Sequence, residues 1–210
     1  MRTRIVTVFF IVITLSSFLI GVFLYPHLPA HIVGHWDASG NPNGVISKFW
    51  GLFLLPLIEL FLFLLYYFIP KIDPLKNNIE SFRKMYNLLW VILSLFLFYI
   101  HLLTLYWNTG HIFSITTFLL PAFTILWFSI GYILKHTKPN WFVGIRTPWT
   151  LSNETVWHKT HALGGTLFQA VGVCTLLGML IPKYGIFFML IPLFIAVIST
   201  VIYSYAISKK

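Results

Sequence analysis

Residues 5–25 read IVTVFFIVITLSSFLIGVFLY and contain no charged side chain. A helix needs about 20 consecutive, predominantly apolar residues to cross the hydrocarbon core of a bilayer, so this stretch predicts a transmembrane helix. Arg2 and Arg4 precede it, as basic residues precede the apolar part of a signal peptide. The apolar run is longer than in a signal peptide and ends without a small-residue cleavage site. We therefore expect an uncleaved first transmembrane helix.

Five further stretches are predominantly apolar: 49–69, 85–107, 113–134, 161–181 and 184–207. Only the first of these contains a charged residue, Glu59. The whole chain of 210 residues is 58% hydrophobic and only 9% charged, with a mean hydropathy of +0.85. Soluble domains carry about 25% charged residues, and disordered chains have low hydrophobicity. The fold class predicted is an all-α bundle of six transmembrane helices in the cell membrane. Six spans leave no room for a soluble ATPase, kinase or dehydrogenase domain.

The net charge of +9 comes from 14 basic against 5 acidic residues. Only Lys48 and Lys183 fall on one side of the predicted topology. The other side carries twelve: Arg2, Arg4, Lys71, Lys76, Arg83, Lys84, Lys135, Lys138, Arg146, Lys159, Lys209 and Lys210. Because basic residues concentrate in cytoplasmic loops, we expect both termini and the 135–160 loop in the cytoplasm and the 26–48 loop outside. The excess charge thus predicts orientation, not direct nucleic-acid binding. The charged connection 70–84 is expected to be solvated.

The loop 26–48, which we call the outer loop, contains turn residues over 37–44. It also contains three histidines at intervals of four residues: His27, His31 and His35. On a helix these histidines would form a stripe of the kind that binds zinc. Pro29 and Gly34 oppose a continuous helix, so we favour three loop histidines and no metal site. Asp37 alone offers too few carboxylate ligands for calcium.

The loop 135–160, which we call the inner loop, has a tryptophan at every eighth position: Trp141, Trp149 and Trp157. Tryptophan prefers the membrane–water interface, so we expect this loop to lie along the inner surface of the bilayer. Ser152 is the expected N-cap of a short helix that continues into the fifth span. Arg146, between Gly144 and Pro148, is expected to present its guanidinium from a rigid turn to a phosphate, a carboxylate or a helix end.

Two groups of polar residues have alternative interpretations. Glu154, His158 and His161 would share one helix face, either as a metal or proton-relay site or, as we favour, as a capping residue with interfacial histidines. Glu59 is the one carboxylate at mid-membrane depth. It is either a neutral, hydrogen-bonded packing residue or a proton or substrate site. Helical rise places three polar residues near its depth: Ser94, Thr124 and Gln169. A separate pattern predicts a packing face on the fifth span, which is rich in small residues. Its members are Thr166, Ala170, Cys174 and Gly178 at every fourth position, together with Gly164, Gly165 and Gly172.

Two motifs resemble a known family. The inner stretch GIRTPWTLSN over 144–153, followed by Val156-Trp157 and Lys159-Thr160-His161, resembles the hallmark of the SdpI-like (SdpI/YfhL) membrane proteins. The outer loop, with His35-Trp36-Asp37, Gly40 and Pro42, resembles the DUF1648 region that precedes it in that family. Val33-Gly34, Asp37 and Asn43 depart from the pattern expected of that region. The resemblance predicts a DUF1648-like region over 1–84 and an SdpI-like region over 85–210.

The resemblance implies a non-enzymatic immunity protein without a cofactor, which confers resistance to a secreted hydrophobic toxin peptide and transduces a signal by holding a transcriptional repressor at the membrane. Its implied partner-binding residues in the outer loop are His35, Trp36, Asp37, Gly40 and Pro42. Those in the inner loop are Gly144, Arg146, Thr147, Pro148, Trp149, Trp157, Lys159 and His161. Intramembrane polar positions are Glu59 and Gln169. The alternative is a proton-coupled transporter or exporter using Glu59. An intramembrane enzyme is disfavoured because the two histidine groups lie on opposite sides.

Overall fold

The computed structural model describes residues 3–209, so that Arg2 and Lys210 lie outside the described residues. Within these residues there are eight α-helices: α1 (Thr3–Leu24), α2 (Lys48–Ile72), α3 (Lys76–Ser81), α4 (Arg83–Asn108), α5 (Ile115–Leu134), α6 (Pro148–Ser152), α7 (Glu154–Gly178) and α8 (Gly185–Ser208). Six of them, all except α3 and α6, are long and apolar enough to cross a membrane. The prediction of six transmembrane helices is therefore confirmed.

Hydrogen bonds between distant residues show which helix ends lie together. Tyr66 near the end of α2 donates through Oη to the Thr3 carbonyl at 3.4 Å, and the hydroxyls of Thr147 and Ser204 lie 3.3 Å apart. We call this end of the bundle, with 3–7, 73–82, 135–153 and 204–209, the terminal end. The opposite end, with 25–47, 109–114 and 179–184, is the hairpin end. Lys48 and Lys183 lie at the hairpin end. The cytoplasmic location of the terminal end stays a prediction.

The hairpin end carries two antiparallel strands, β1 (His31–Trp36) and β2 (Pro42–Ser47). Sequence reasoning predicted a turn here and missed the strands, because glycine, proline and histidine interrupt both six-residue stretches. An isolated pair of strands is marginal in water, so this pair requires support from the helices. Ile32 is buried within a cluster that includes Leu28, Leu52 and Leu105, which provides that support.

The terminal end is closed by a buried cluster that joins α1, α2, α3, α4 and the inner loop: Val6, Phe10, Tyr66, Ile69, Ile79, Phe82, Tyr86, Trp90 and Val143. The expectation of a solvated 70–84 connection is wrong for its central part. Ile79 is fully buried, and the buried Asp73 carboxylate accepts hydrogen bonds from the backbone N–H groups of Leu75 at 2.6 Å and Trp141 at 2.9 Å. The connection is thereby fastened to the inner loop.

Glycines set the close packing of α5 against α7. A Cβ added to Gly165 would lie 2.6 Å from the Gly131 carbonyl, and one added to Gly172 would lie 3.1 Å from the Thr124 carbonyl. Backbones can approach this closely only where side chains are absent. The predicted contribution of Gly165 and Gly172 to a packing face is thus confirmed, whereas Thr166 and Ala170 are exposed and lie outside it.

Candidate functional site

The two strands and the turn between them, residues 31–47, form a β-hairpin that packs directly against the start of α2. A Cβ on Gly51 would overlap the side chain of Ile32, so this glycine permits the strand to contact the helix. Asn108, the last residue of α4, holds the strand from the other side. Its Oδ1 accepts the Val33 N–H at 2.8 Å, and its Nδ2 donates to the Val33 carbonyl at 2.9 Å. Sequence reasoning missed Asn108; the available signal was an amide at the end of an apolar span.

The tip of the hairpin is a turn built around Asp37. Its Oδ1 accepts the backbone N–H groups of Ser39 and Asn41, both at 2.9 Å. These donors, Asn41 first, hold the pKa of the Asp37 carboxyl below its usual range. Gly40 has φ +85°, and a Cβ there would lie 3.1 Å from Thr116 Oγ1, so the turn lies against the start of α5.

The three histidines of the outer loop do not form a helical stripe. His31 and His35 lie in β1, and His27 ends a short 3₁₀ helix, Tyr25–His27. The His35 Nδ1 lies 2.5 Å from Asn43 Oδ1. Within residues 3–209, no three histidine, cysteine, aspartate or glutamate side chains are grouped so that they could hold a metal ion.

Beneath the hairpin lies a cavity of about 570 Å³, which we call the outer cavity. Of the predicted outer-loop residues, His35, Trp36 and Asp37 line it, whereas Gly40 and Pro42 do not. Four transmembrane helices contribute apolar side chains to its walls. These side chains include Trp50 and Leu55 of α2, Ile100 of α4, Leu119 of α5 and Ile186 of α8. The cavity is large enough for a small ligand or several apolar side chains. Sequence reasoning missed it because its walls come from segments far apart in the chain.

The inner loop is held together by His161. Its Nε2 accepts the Ile145 N–H at 2.9 Å, and its Nδ1 contacts the Trp157 carbonyl at 2.8 Å as the donor. Gly144 has φ +121°, and a Cβ there would overlap His161 Nε2. Trp157 is fully buried, stacks on His161 and donates through Nε1 to the Thr137 carbonyl at 3.2 Å. These residues form the interior of the loop.

A capping box begins the short helix α6. The Thr147 hydroxyl accepts the Thr150 N–H at 3.2 Å, and the Thr150 hydroxyl accepts the Thr147 N–H at 2.8 Å, with Pro148 at the first helical position. The prediction that Ser152 caps the following helix is wrong. Asn153 is the N-cap of α7, because its Oδ1 accepts the Val156 N–H at 3.1 Å.

The predicted partner-binding residues of the inner loop differ in exposure. Thr147, Trp157 and His161 are buried, and their contacts lie within the chain. Arg146, Pro148 and Lys159 are exposed. Three further contacts complete the loop: Trp149 packs against Tyr205 with ring centres 4.9 Å apart, Arg146 Nη1 donates to the Trp141 carbonyl at 2.6 Å, and Glu154 pairs with His158 at 3.4 Å.

Glu59 is 1% exposed and faces α1 and α4. The Ser94 hydroxyl of α4 donates to Oε1, and the Ser17 hydroxyl of α1 donates to Oε2 at 3.2 Å. The expectation of a hydrogen-bonded carboxyl with Ser94 as a partner is confirmed. Thr124 and Gln169 are not its partners: Thr124 donates to its own helix, and Gln169 accepts from Lys135 Nζ at 2.7 Å. Equal depth alone could not tell which helices are neighbours.

Comparison with known proteins agrees with both motifs. Residues 136–205 match the SdpI/YfhL protein family, and residues 12–60 match a domain of unknown function, DUF1648. Immunity protein SdpI of Bacillus subtilis (strain 168) is 28% identical over 202 residues, which cover 95% of this chain and 94% of that protein. The chain is thus similar to the SdpI/YfhL family over 136–205 and to this immunity protein along nearly its whole length. No solved structure matches it.

The two matched regions contain the two long loops of the chain between them. The DUF1648 region contains the hairpin and reaches Glu59. The SdpI/YfhL region contains the inner loop, α7 and most of α8. The multi-pass membrane location predicted for the chain is supported by this relationship together with its six apolar helices. A division of the chain at residue 84 stays a prediction.

Proposed function

We propose that this SdpI-like protein protects its cell against a secreted antimicrobial peptide, and that it does so by binding, without a catalytic step. The similarity to an immunity protein along 95% of the chain supports this proposal. The observation that carries it is the outer cavity, an apolar space roofed by the hairpin. Membrane-active peptides combine an apolar face of Trp, Phe and Leu with a basic face, and the cavity suits the apolar face.

The charge at the mouth of the outer cavity fits the basic face of such a peptide. Asp37 lines the cavity, and the other four acidic residues of the chain lie in α2, α3, α7 and the α2–α3 connection. Lys48 directs its ammonium group to the Tyr25 and Leu28 carbonyls, at 3.1 and 3.4 Å. A cationic peptide would therefore meet a carboxylate at the mouth.

A growth assay tests the peptide-binding proposal. The host is a strain made sensitive to a secreted toxin peptide by deletion of its own SdpI-like immunity protein. Leu55→Trp reduces the volume of the cavity, and His35→Ala removes a residue from its rim. Both variants should lower the highest toxin concentration at which the cells still grow. Leu57→Trp adds the same bulk to an exposed position of α2 that does not line the cavity, and should protect normally. Full protection by the Leu55→Trp variant, at equal membrane abundance, would refute the proposal.

We also propose that the terminal end holds a transcriptional repressor at the membrane, as the family resemblance implies. The docking surface would comprise the exposed Arg146, Pro148 and Lys159, without the buried Trp157 and His161. The double variant Arg146→Ala/Lys159→Ala should retain protection from toxin but release the repressor into the soluble cell fraction. Lys76→Ala, which removes an exposed charge from α3, is the control. Equal membrane retention by all three proteins would contradict this docking surface.

A further inference from the structure

One face of α4 carries a polar residue every one or two turns. Its members recur at helical spacing of three, four or seven residues: Asn87, Ser94, His101, Thr104 and Asn108. Side chains at this spacing lie one above another on the same face. The first three are buried to within 1% of complete burial. Polar side chains inside a membrane-spanning helix are costly and mark functional pathways, so this face requires an explanation beyond packing.

Glu59 meets this face near its middle. The groups around its carboxyl are the hydroxyls of Ser17 from α1 and Ser94 from α4, and neither carries a charge. Along α2 itself, the nearest titratable residue is Tyr66, two turns toward the terminal end. Among residues 3–209, Glu59 takes part in no ion pair. A serine hydroxyl can donate to a carboxylate or accept from a carboxylic acid, so this site can hold the carboxyl in both states.

His101 lies between Glu59 and the hairpin end. Its imidazole approaches the backbone of Ser17, the residue whose hydroxyl contacts Glu59. The ring is 1% exposed, and neither of its nitrogens has a hydrogen-bond partner in the described part of the chain. Thr104, one turn further along α4, lines the outer cavity. Thr104, His101 and Ser17 are thus the polar residues that lie between the outer cavity and the carboxyl.

The opposite direction is closed by aromatic rings. Tyr66 stacks on Phe10 with ring centres 5.4 Å apart and on Tyr86 at 5.7 Å, and Tyr86 contacts Trp90 at 5.8 Å. All four side chains are at most 5% exposed. Close-packed interiors of this kind leave few voids that could hold water. Trp90 of this cluster lies on α4 between Ser94 and Asn87. The cluster therefore separates the carboxyl from the Tyr66 hydroxyl, which contacts Asn87 Oδ1 at 3.3 Å and the Thr3 carbonyl at 3.4 Å.

We propose that Glu59 is an intramembrane proton-binding site that exchanges its proton with the outer cavity through His101. A proton from water in the cavity binds one imidazole nitrogen; the other nitrogen releases a proton toward the carboxylate. The carboxylate becomes a carboxylic acid, and one positive charge has moved inward. Because the aromatic cluster closes the terminal end, this site takes up and returns protons on one side. It thereby differs from a transporter, which must open to both sides.

Infrared spectroscopy of the purified protein in lipid vesicles tests the site. A protonated buried carboxyl gives a carbonyl band apart from the amide bands, and Glu59→Gln should abolish it. On transfer to D₂O the band should shift as the proton exchanges. His101→Phe should slow this shift by about tenfold or more, because the imidazole acts as the proton relay. His101→Gln provides a second variant if His101→Phe fails to fold. Tyr66→Phe, on the closed side, should leave the exchange rate unchanged.

Proton flux provides the second measurement. Vesicles with an entrapped pH-sensitive dye and an imposed pH gradient should leak protons no faster with the protein than without it. Steady flux above the empty-vesicle rate would overturn the one-sided site. The absence of the Glu59 carbonyl band at every pH, or exchange at the wild-type rate in both His101 variants, would overturn the proton-binding site and its route. Neither measurement uses a toxin, so their outcome is independent of the immunity proposal.

Discussion

The two long loops differ in what their motif residues do. In the hairpin, His35, Trp36 and Asp37 face a cavity that a ligand can occupy. In the inner loop, Trp157 and His161 face each other and the backbone of the loop. The difference teaches that a sequence motif can mark residues that build a loop as readily as residues that meet a partner. Burial and saturated hydrogen bonds distinguish the first group from the second.

The largest expected effect comes from Trp157→Ala. The substitution removes a fully buried ring, the hydrogen bond to the Thr137 carbonyl and the stacking on His161. Truncation of a buried large aromatic costs about 3–5 kcal/mol of unfolding free energy. Unfolding monitored by circular dichroism in detergent micelles measures this loss. Trp141→Ala, at a residue 51% exposed, is the control and should change stability little. Equal stability of the two variants would place Trp157 on the surface and remove the contrast between the loops.

The next largest effect is expected from alanine substitution at Gly144, and comparison with Gly110 separates the cost of an unfavourable backbone conformation from that of a steric overlap. Gly144 and Gly110 both have positive φ, at +121° and +98°. A Cβ at Gly144 would overlap His161, whereas one at Gly110 would have no atom within 4 Å. Gly110→Ala should therefore cost only the conformational penalty, about 1 kcal/mol, and Gly144→Ala about 2–3 kcal/mol. Unfolding midpoints of the two variants check the order. A Gly110→Ala variant as unstable as Gly144→Ala would contradict the role of His161.

A smaller, local effect is expected at the hairpin from Asn108→Ala. This change leaves the N–H and carbonyl of Val33 without their side-chain partner. Each polar group that loses its partner costs about 1–3 kcal/mol when buried and less when water can replace the bond, so we expect about 1–2 kcal/mol in total. Hydrogen exchange should show faster opening of β1, with α5 and α7 unchanged. Thr109→Ala, whose hydroxyl bonds only locally, is the control. Unchanged exchange in β1 would show that Asn108 does not hold the hairpin.

The sequence predicted the part of the fold that depends on composition along one segment. Six apolar runs specify six helices, since each must satisfy its backbone hydrogen bonds within the bilayer. The depth of Glu59 and its hydrogen bond to Ser94 were also predictable from helical rise. Contacts that depend on which helices are neighbours were not: Ser17 was missed, and Thr124 and Gln169 were wrongly proposed. The outer cavity and the hydrogen bonds between Asn108 and Val33 were missed for the same reason.

The smallest expected effect concerns Asp37 and the pH dependence of the hairpin turn. The backbone N–H of Asn41, followed by other donors of the turn, holds the pKa of this carboxyl below 3.8, the ordinary value. Because the folded pKa is the lower one, the carboxylate stabilises the turn at every pH well above 3.8. That contribution decreases as the pH falls below the ordinary value and is lost once the pH passes the lowered pKa.

Carboxyl ¹³C chemical shifts measured against pH should show this lowered pKa, and exchange of the Asn41 amide proton should accelerate over the same range. In Asp37→Asn the amide should exchange faster at neutral pH and lack this acid-dependent step. A wild-type carboxyl that titrates at or above its ordinary pKa would show that the turn does not hold the charge. The outer cavity would then have a rim carboxylate without fixed donors, and its contrast with the hydrogen-bonded interior of the inner loop would be greater.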